Sequence, residues 1–184
     1  MNIRSVTTLS FNPGTYYGES SFNYCYVKIE TDDGLVGYGE CSLIPGAVEG
    51  AVDTIGEYLH GHDARRIEEI WSSMYYMWHN VRGGVIFSAA MSGIDIALWD
   101  IGGKVAGLPV HRLLASFRDS VPAYASSTVL GSPEAYAEEA LAHREAGWTA
   151  YKIHPPAKRQ TDIKVCEATR EAVGDYYTLM LDSA

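Results

Sequence analysis

The chain has 184 residues, 47% of them hydrophobic and 20% charged, with no internal repeat or low-complexity tract, so it is globular and long enough for one good core or a small domain plus part of another. Its 14 Lys and Arg against 23 Asp and Glu give a net charge of -9, which argues against nucleic acid or an anionic membrane surface as partner. The N-terminus lacks an apolar segment of signal-peptide length, and no later run approaches the roughly eighteen apolar residues of a membrane span, so the expectation is a soluble cytoplasmic protein.

Ile3 to Phe11 reads as a strand, and from Phe22 to Thr31 residues alternate, with Cys25, Val27 and Ile29 on one face and Tyr24, Tyr26, Lys28 and Glu30 on the other. Asp33-Gly34 supplies a hairpin turn, and Leu35 to Glu40 returns as the third strand of an antiparallel meander. Helical patterns follow at about Val48 to Leu59, Ile67 to Trp78 and Phe87 to Ala106. Asp63 is placed to start the second helix, while Gly107 and Pro109 end the third. Trp71, Met74 and Trp78 lie at helical spacing and are read as core, and Cys25, Cys41 and Cys166 as small buried side chains, since their spacing suits neither a disulfide framework nor a zinc site. Strands followed by helices describe an α+β unit over residues 1–117.

After Phe117 the pattern changes. Val121 to Ser126 is a strand, Ser132-Pro133-Glu134 caps a helix reaching Ala146, Thr149 to His154 is a second strand, Asp162 to Val173 a helix, and Thr178 to Asp182 a third strand. Such alternation implies parallel strands joined by crossover helices over residues 118–184. Strand alternation places Lys152 and His154 on one face and Tyr151 and Ile153 on the other; Thr178, Met180 and Asp182 form the corresponding face of the third strand. Pro155-Pro156 cannot continue a ladder and turns the chain into a loop beyond His154.

Two segments carry a family resemblance. The first is Ala90-Met91-Ser92-Gly93-Ile94-Asp95-Ile96-Ala97-Leu98-Trp99-Asp100-Ile101-Gly102-Gly103-Lys104, continuing through Gly107-Leu108-Pro109-Val110 to Leu113-Leu114. The second is Tyr151-Lys152-Ile153-His154, followed by Leu179-Met180-Leu181-Asp182. Together they resemble the mandelate racemase and muconate lactonizing enzyme group of the enolase superfamily. Two positions depart from the family pattern: Ala115 stands where glycine is usual, and His154 replaces the second lysine of a Lys-x-Lys pair.

The resemblance implies an α+β capping domain followed by the first three strands of a truncated (β/α) TIM-type barrel. A closed barrel needs about 250 residues, so an open sheet edge is expected, belonging to a truncated or split sequence or to one completed by a partner. The resemblance also implies Mg2+ as cofactor, with Asp182 a metal ligand, and removal of the proton next to a substrate carboxylate by one of Lys152 and His154. By position His154 is the base and Lys152 contacts the carboxylate; the exchanged assignment stays open, because a neighbouring cation lowers a lysine pKa. In relatives two capping loops close over the barrel mouth. The matching segments here are residues 12–20, where Tyr16, Tyr17 and Glu19 suit a polyhydroxylated acid, and residues 42–47, where Leu43 and Ile44 offer apolar contact. Asp95, Asp100 and Lys104 are expected to hold their helix against the barrel, without a catalytic role. His60, His62, His79, His111 and His143 have no ligand spacing.

The function implied is the N-terminal part of a magnesium-dependent acid-sugar dehydratase, inactive as 184 residues and a homo-oligomer when full length, with a small-molecule carboxylate as substrate. A racemase or epimerase of a 2-hydroxy acid shares the first chemical step. A non-catalytic fragment or interaction module is the reading of another class.

Overall fold

The structure is a computed structural model and describes residues 1–12, 14–16, 19–20, 23–42, 45–77, 79–80 and 84–183. The chain divides into two compact units, residues 1–117 and 118–184.

In the first unit β1 (Ile3–Phe11), β4 (Tyr24–Thr31) and β5 (Val36–Cys41) form an antiparallel sheet in the order β1-β4-β5. The alternation seen in the sequence decides which face is buried: Cys25, Val27, Ile29 and Thr31 point inward, where α1 (Pro45–Leu59) and α3 (Val85–Ala106) cover them. Burying such a set of aliphatic side chains is the main driving force for this unit. On the outer face Phe11 stacks on Tyr24 at 5.7 Å and on Tyr26 at 5.8 Å between ring centroids, a cross-strand aromatic ladder.

Several sequence expectations shift. Thr15–Tyr16 (β2) and Glu19–Ser20 (β3), read as part of a loop, pair as a two-residue antiparallel hairpin. The first helix starts three residues early because Pro45 is already suited to a first helical turn. Asp63 does not cap α2 (Ile67–Met77) directly. It bridges to Asn2, and its Oδ1 accepts the Arg65 N–H at 3.1 Å in the turn before the helix. Met74 is fully buried, but Trp71 is 39% exposed and stacks on Tyr75, so only the first belongs to the core; Trp78 lies outside the described residues. Cys25 and Cys41 are buried and face each other across β4 and β5, whereas Cys166 is only partly covered. Burial and the neighbouring Cys25 push the Cys41 thiol up to about 12.

Contrary to the reading that no run approaches a membrane span, α3 is 22 residues long and apolar enough to cross one by length and composition. Its position explains the composition: Ala90, Ile94, Ala97, Leu98 and Ile101 are fully buried in the core beneath the sheet. Gly107 ends it in a left-handed conformation (φ 64°), as the sequence predicts, and Pro109 precedes a single turn, α4 (Val110–Leu113), that the sequence reading omits.

In the second unit β6 (Ala125–Ser126), β7 (Ala150–Ile153) and β8 (Thr178–Leu181) form a parallel sheet in chain order, with α5 (Pro133–Glu145) and α6 (Arg159–Val173) as crossovers packed on each other. The Ser132 hydroxyl accepts the Ala135 N–H at 3.3 Å and caps α5. β6 is shorter than the expected Val121 to Ser126: Pro122 lacks a ladder donor, and only Ala125 and Ser126 pair with β7. Tyr151 and Ile153 are buried with Tyr136, Ala140 and Val165, which turns Lys152 and His154 to the other face. The element pattern is thus that of a capping domain with the beginning of a parallel barrel sheet.

Candidate active site

The parallel register brings Ser126, Lys152 and Met180 level with one another on the face opposite the helices. One position further, the ladder ends. His154 follows β7 and Asp182 follows β8, whose N–H donates to the Ile153 carbonyl at 3.0 Å. Lys152 Nζ lies 2.9 Å from Asp182 Oδ2, and His154 Nε2 lies 3.0 Å from the same oxygen. The three residues taken from the sequence as catalytic or metal-binding therefore form one cluster at the C-terminal ends of neighbouring strands, where barrel enzymes carry their chemistry.

The charges in this cluster are coupled. The hydrogen bond and charge of Lys152 hold the Asp182 carboxyl below its ordinary value against the cost of desolvation, and His154 adds to the lowering. The same bond raises the Lys152 ammonium above its ordinary value. Tyr124 adds to this, with Lys152 Nζ 5.4 Å from its ring centroid.

His154 is held on three sides. Its main-chain N–H donates to Ser127 Oγ at 2.8 Å, its carbonyl accepts from Tyr136 Oη at 2.7 Å, and its ring Nδ1 lies 2.8 Å from the Ser127 carbonyl oxygen and 3.3 Å from Ser126 Oγ. These contacts do what the ladder no longer does once Pro155 and Pro156 follow. Sequence reasoning missed Tyr124, Ser126, Ser127 and Tyr136. Alternation would have placed Tyr124 and Ser126 on the Lys152 face, because Ser126 pairs with Lys152. No local pattern points from Ser127 or Tyr136 to His154, since the contact depends on how β6 and α5 dock on β7.

A magnesium ion would find one hard anionic ligand here, the Asp182 carboxylate, in a side chain that is 50% exposed. Among the described residues no group of three or more His, Cys, Asp or Glu could hold a metal, so Asp182 fits the ion as one ligand of a larger set and not as a site by itself. Tyr16 and Glu19 belong to the β2–β3 hairpin of the first unit, and Tyr17, Leu43 and Ile44 lie outside the described residues. Asp100 and Lys104 contact β5 within their own unit: Asp100 Oδ2 accepts the Tyr38 N–H at 2.9 Å, and Lys104 Nζ donates to the Val36 carbonyl at 2.8 Å.

The chain is similar in sequence and in fold to known proteins. Over 128 residues, 67% of the chain, it is 42% identical to a D-galactonate dehydratase of Pectobacterium atrosepticum, of which it spans 31%. The 3,6-anhydro-D-galactonate cycloisomerase of Zobellia galactanivorans superposes with a TM-score of 0.90 at 31% identity, over 100% of this chain and 51% of that one. A dipeptide epimerase from Enterococcus faecalis, crystallised with Mg and the dipeptide L-Leu-L-Tyr, gives a TM-score of 0.85 at 27% identity, over 100% of this chain and 54% of that one. The chain thus spans between about a third and about half of these relatives. Residues 15–115 match the model of the mandelate racemase / muconate lactonizing enzyme N-terminal domain, and with the parallel strands that follow, the chain belongs to that family as the N-terminal portion of such a protein.

Proposed function

We propose that this chain is the N-terminal portion of an acid-sugar dehydratase that begins by removing the proton on the carbon next to a substrate carboxylate. The observation that carries the reading is the convergence of Lys152 and His154 on Asp182 at adjacent strand ends. The likeness to D-galactonate dehydratase supports a hydroxylated acid as substrate.

His154 is the base through Nε2, which faces the cluster while Nδ1 is turned into the protein, and it accepts the substrate proton once its 3.0 Å contact with Asp182 is released. Lys152, whose ammonium is stabilised by a carboxylate in this geometry, serves as the cation that meets the substrate carboxylate. Asp182 would hold a magnesium ion together with ligands from elsewhere, and the ion would supply positive charge beside the substrate carboxylate. Proton transfer to His154 breaks the Cα–H bond and leaves the electron pair in the enediolate. Its collapse expels the β-hydroxyl, which takes one proton from a general acid and departs as water. Tyr16, Tyr17 and Glu19 are proposed to bind the hydroxyls of the acid.

The test uses a protein in which this chain continues through a complete barrel, incubated with D-galactonate and magnesium in deuterium oxide. Loss of water to a 2-keto-3-deoxy acid is expected, and His154→Ala and Lys152→Ala should each lower the rate by about a hundredfold or more. Deuterium incorporation with inversion and no loss of water would instead assign a racemase or epimerase. Unchanged turnover in both variants would remove the site assignment.

A further inference from the structure

Ser127 is 4% exposed, and every polar group it carries is engaged around β7. Its N–H donates to the Lys152 carbonyl at 2.9 Å, its Oγ accepts the His154 N–H at 2.8 Å, and its carbonyl faces His154 Nδ1 at 2.8 Å. A carbonyl oxygen can only accept, so a ring nitrogen at this distance bonds it only if that nitrogen carries a proton. We propose that Ser127 is a positioning residue that locks the His154 ring with a protonated Nδ1 turned into the protein and with Nε2 turned to the Asp182 side, 3.0 Å from Oδ2, as the nitrogen that meets the reaction.

Two features make the lock specific. His154 lies beyond the last ladder residue of β7, so its main chain has no strand partner of its own, and Ser127 Oγ supplies that missing acceptor. Tyr136, fully buried, fixes the other side of the same residue's main chain by donating to the His154 carbonyl while accepting the Leu130 N–H at 2.8 Å. With the backbone held at both ends, the short side chain has little freedom, and the Ser127 carbonyl selects the ring orientation. The opposite tautomer would set an unprotonated Nδ1 against that carbonyl, lone pair to lone pair, and a flipped ring would leave the carbonyl facing a C–H. The arrangement is the inverse of a surface histidine, whose two nitrogens exchange freely with solvent.

The catalytic meaning of the lock rests on the reading of His154 as the base, but the lock itself is testable without turnover. Two-bond 1H–15N NMR spectra of the chain, with the His154 signals identified by their loss in His154→Ala, report which ring nitrogen holds the proton. The expected result is a slowly exchanging N–H on Nδ1, together with a protected His154 amide. Ser127→Ala keeps the carbonyl but removes the acceptor that holds the His154 main chain, so it should speed exchange of both the ring N–H and the His154 amide by about tenfold or more. Ser127→Thr, which keeps the hydroxyl, should retain both. A ring proton found only on Nε2, or a Ser127→Ala protein with unchanged ring and amide signals, would overturn the proposal. A lock confirmed by NMR beside an inactive-site result in the exchange experiment would leave Ser127 positioning a histidine that is not the base.

Discussion

At Gly93 a Cβ would overlap Cys41 Sγ and press on Val27 Cγ2, and at Gly39 a Cβ would overlap the Gly93 carbonyl, so α3 approaches β5 to a distance that only glycine permits. Overpacking of this kind costs roughly 1–3 kcal/mol, while alanine in a helix gains about 1 kcal/mol over glycine. Gly93→Ala is therefore expected to destabilise the protein in urea unfolding, and in a Cys41→Ala background, where Sγ is gone, the helix gain should offset most of the penalty. An equal penalty in both backgrounds would mean that Cys41 does not set the helix–strand distance. Ala115 presents the opposite case: it stands where the family usually has glycine, and its φ of 65° is left-handed, a region in which a Cβ costs about 1–2 kcal/mol. Part of that cost returns through the greater unfolded-state freedom of glycine. Ala115→Gly should consequently raise stability by up to about 1 kcal/mol, and a lower urea midpoint would show that the strain is relieved in another way.

β5 is an edge strand, and α3 covers that edge chemically as well as sterically. Asp100 and Lys104, one helical turn apart and 2.7 Å from each other, take up the Tyr38 N–H and the Val36 carbonyl. This is why an acid and a lysine sit at this spacing in a largely apolar helix: they satisfy backbone groups that would otherwise invite another strand. Asp100→Ala should cost about 1 kcal/mol and Asp100→Asn less, since the amide oxygen can still accept, as thermal melts would show; equal losses would assign the effect to charge rather than to the acceptor. These elements also mark how far the sequence could be read. Alternation in β4, the Gly107 stop of α3 and the Ser132 cap of α5 are local signals, and each predicted its element. Trp71 was misread because helical spacing cannot tell a core stripe from a ring stacked at the surface. At the site, Lys152, His154 and Asp182 were legible from strand alternation and family motif. Ser127 and Tyr136 were not, because their contacts arise only when three separate elements dock.

Over the whole molecule, the first unit closes its core between sheet and helices, whereas in the second β8 has one strand neighbour among the described residues. Leu181, 52% exposed, and Ile163, 50% exposed, line a groove beside that strand, so apolar surface and unpaired backbone groups occur together. The same incompleteness governs the metal. Magnesium loses its water reluctantly and binds through several oxygens, and the cluster offers it only the Asp182 carboxylate, which is already engaged by Lys152 and His154. A ligand stabilises a fold in proportion to the logarithm of one plus the ratio of its free concentration to its dissociation constant, so weak binding gives almost no shift at millimolar ion. Thermal melts of the 184-residue chain should therefore be nearly insensitive to magnesium. A protein continued through a complete barrel should melt higher when the ion is added, and Asp182→Asn should remove most of that increase. If the continued protein kept its full magnesium-dependent increase with Asn at position 182, Asp182 would be excluded as a ligand, and its pairing with Lys152 and His154 would have to serve the bases alone.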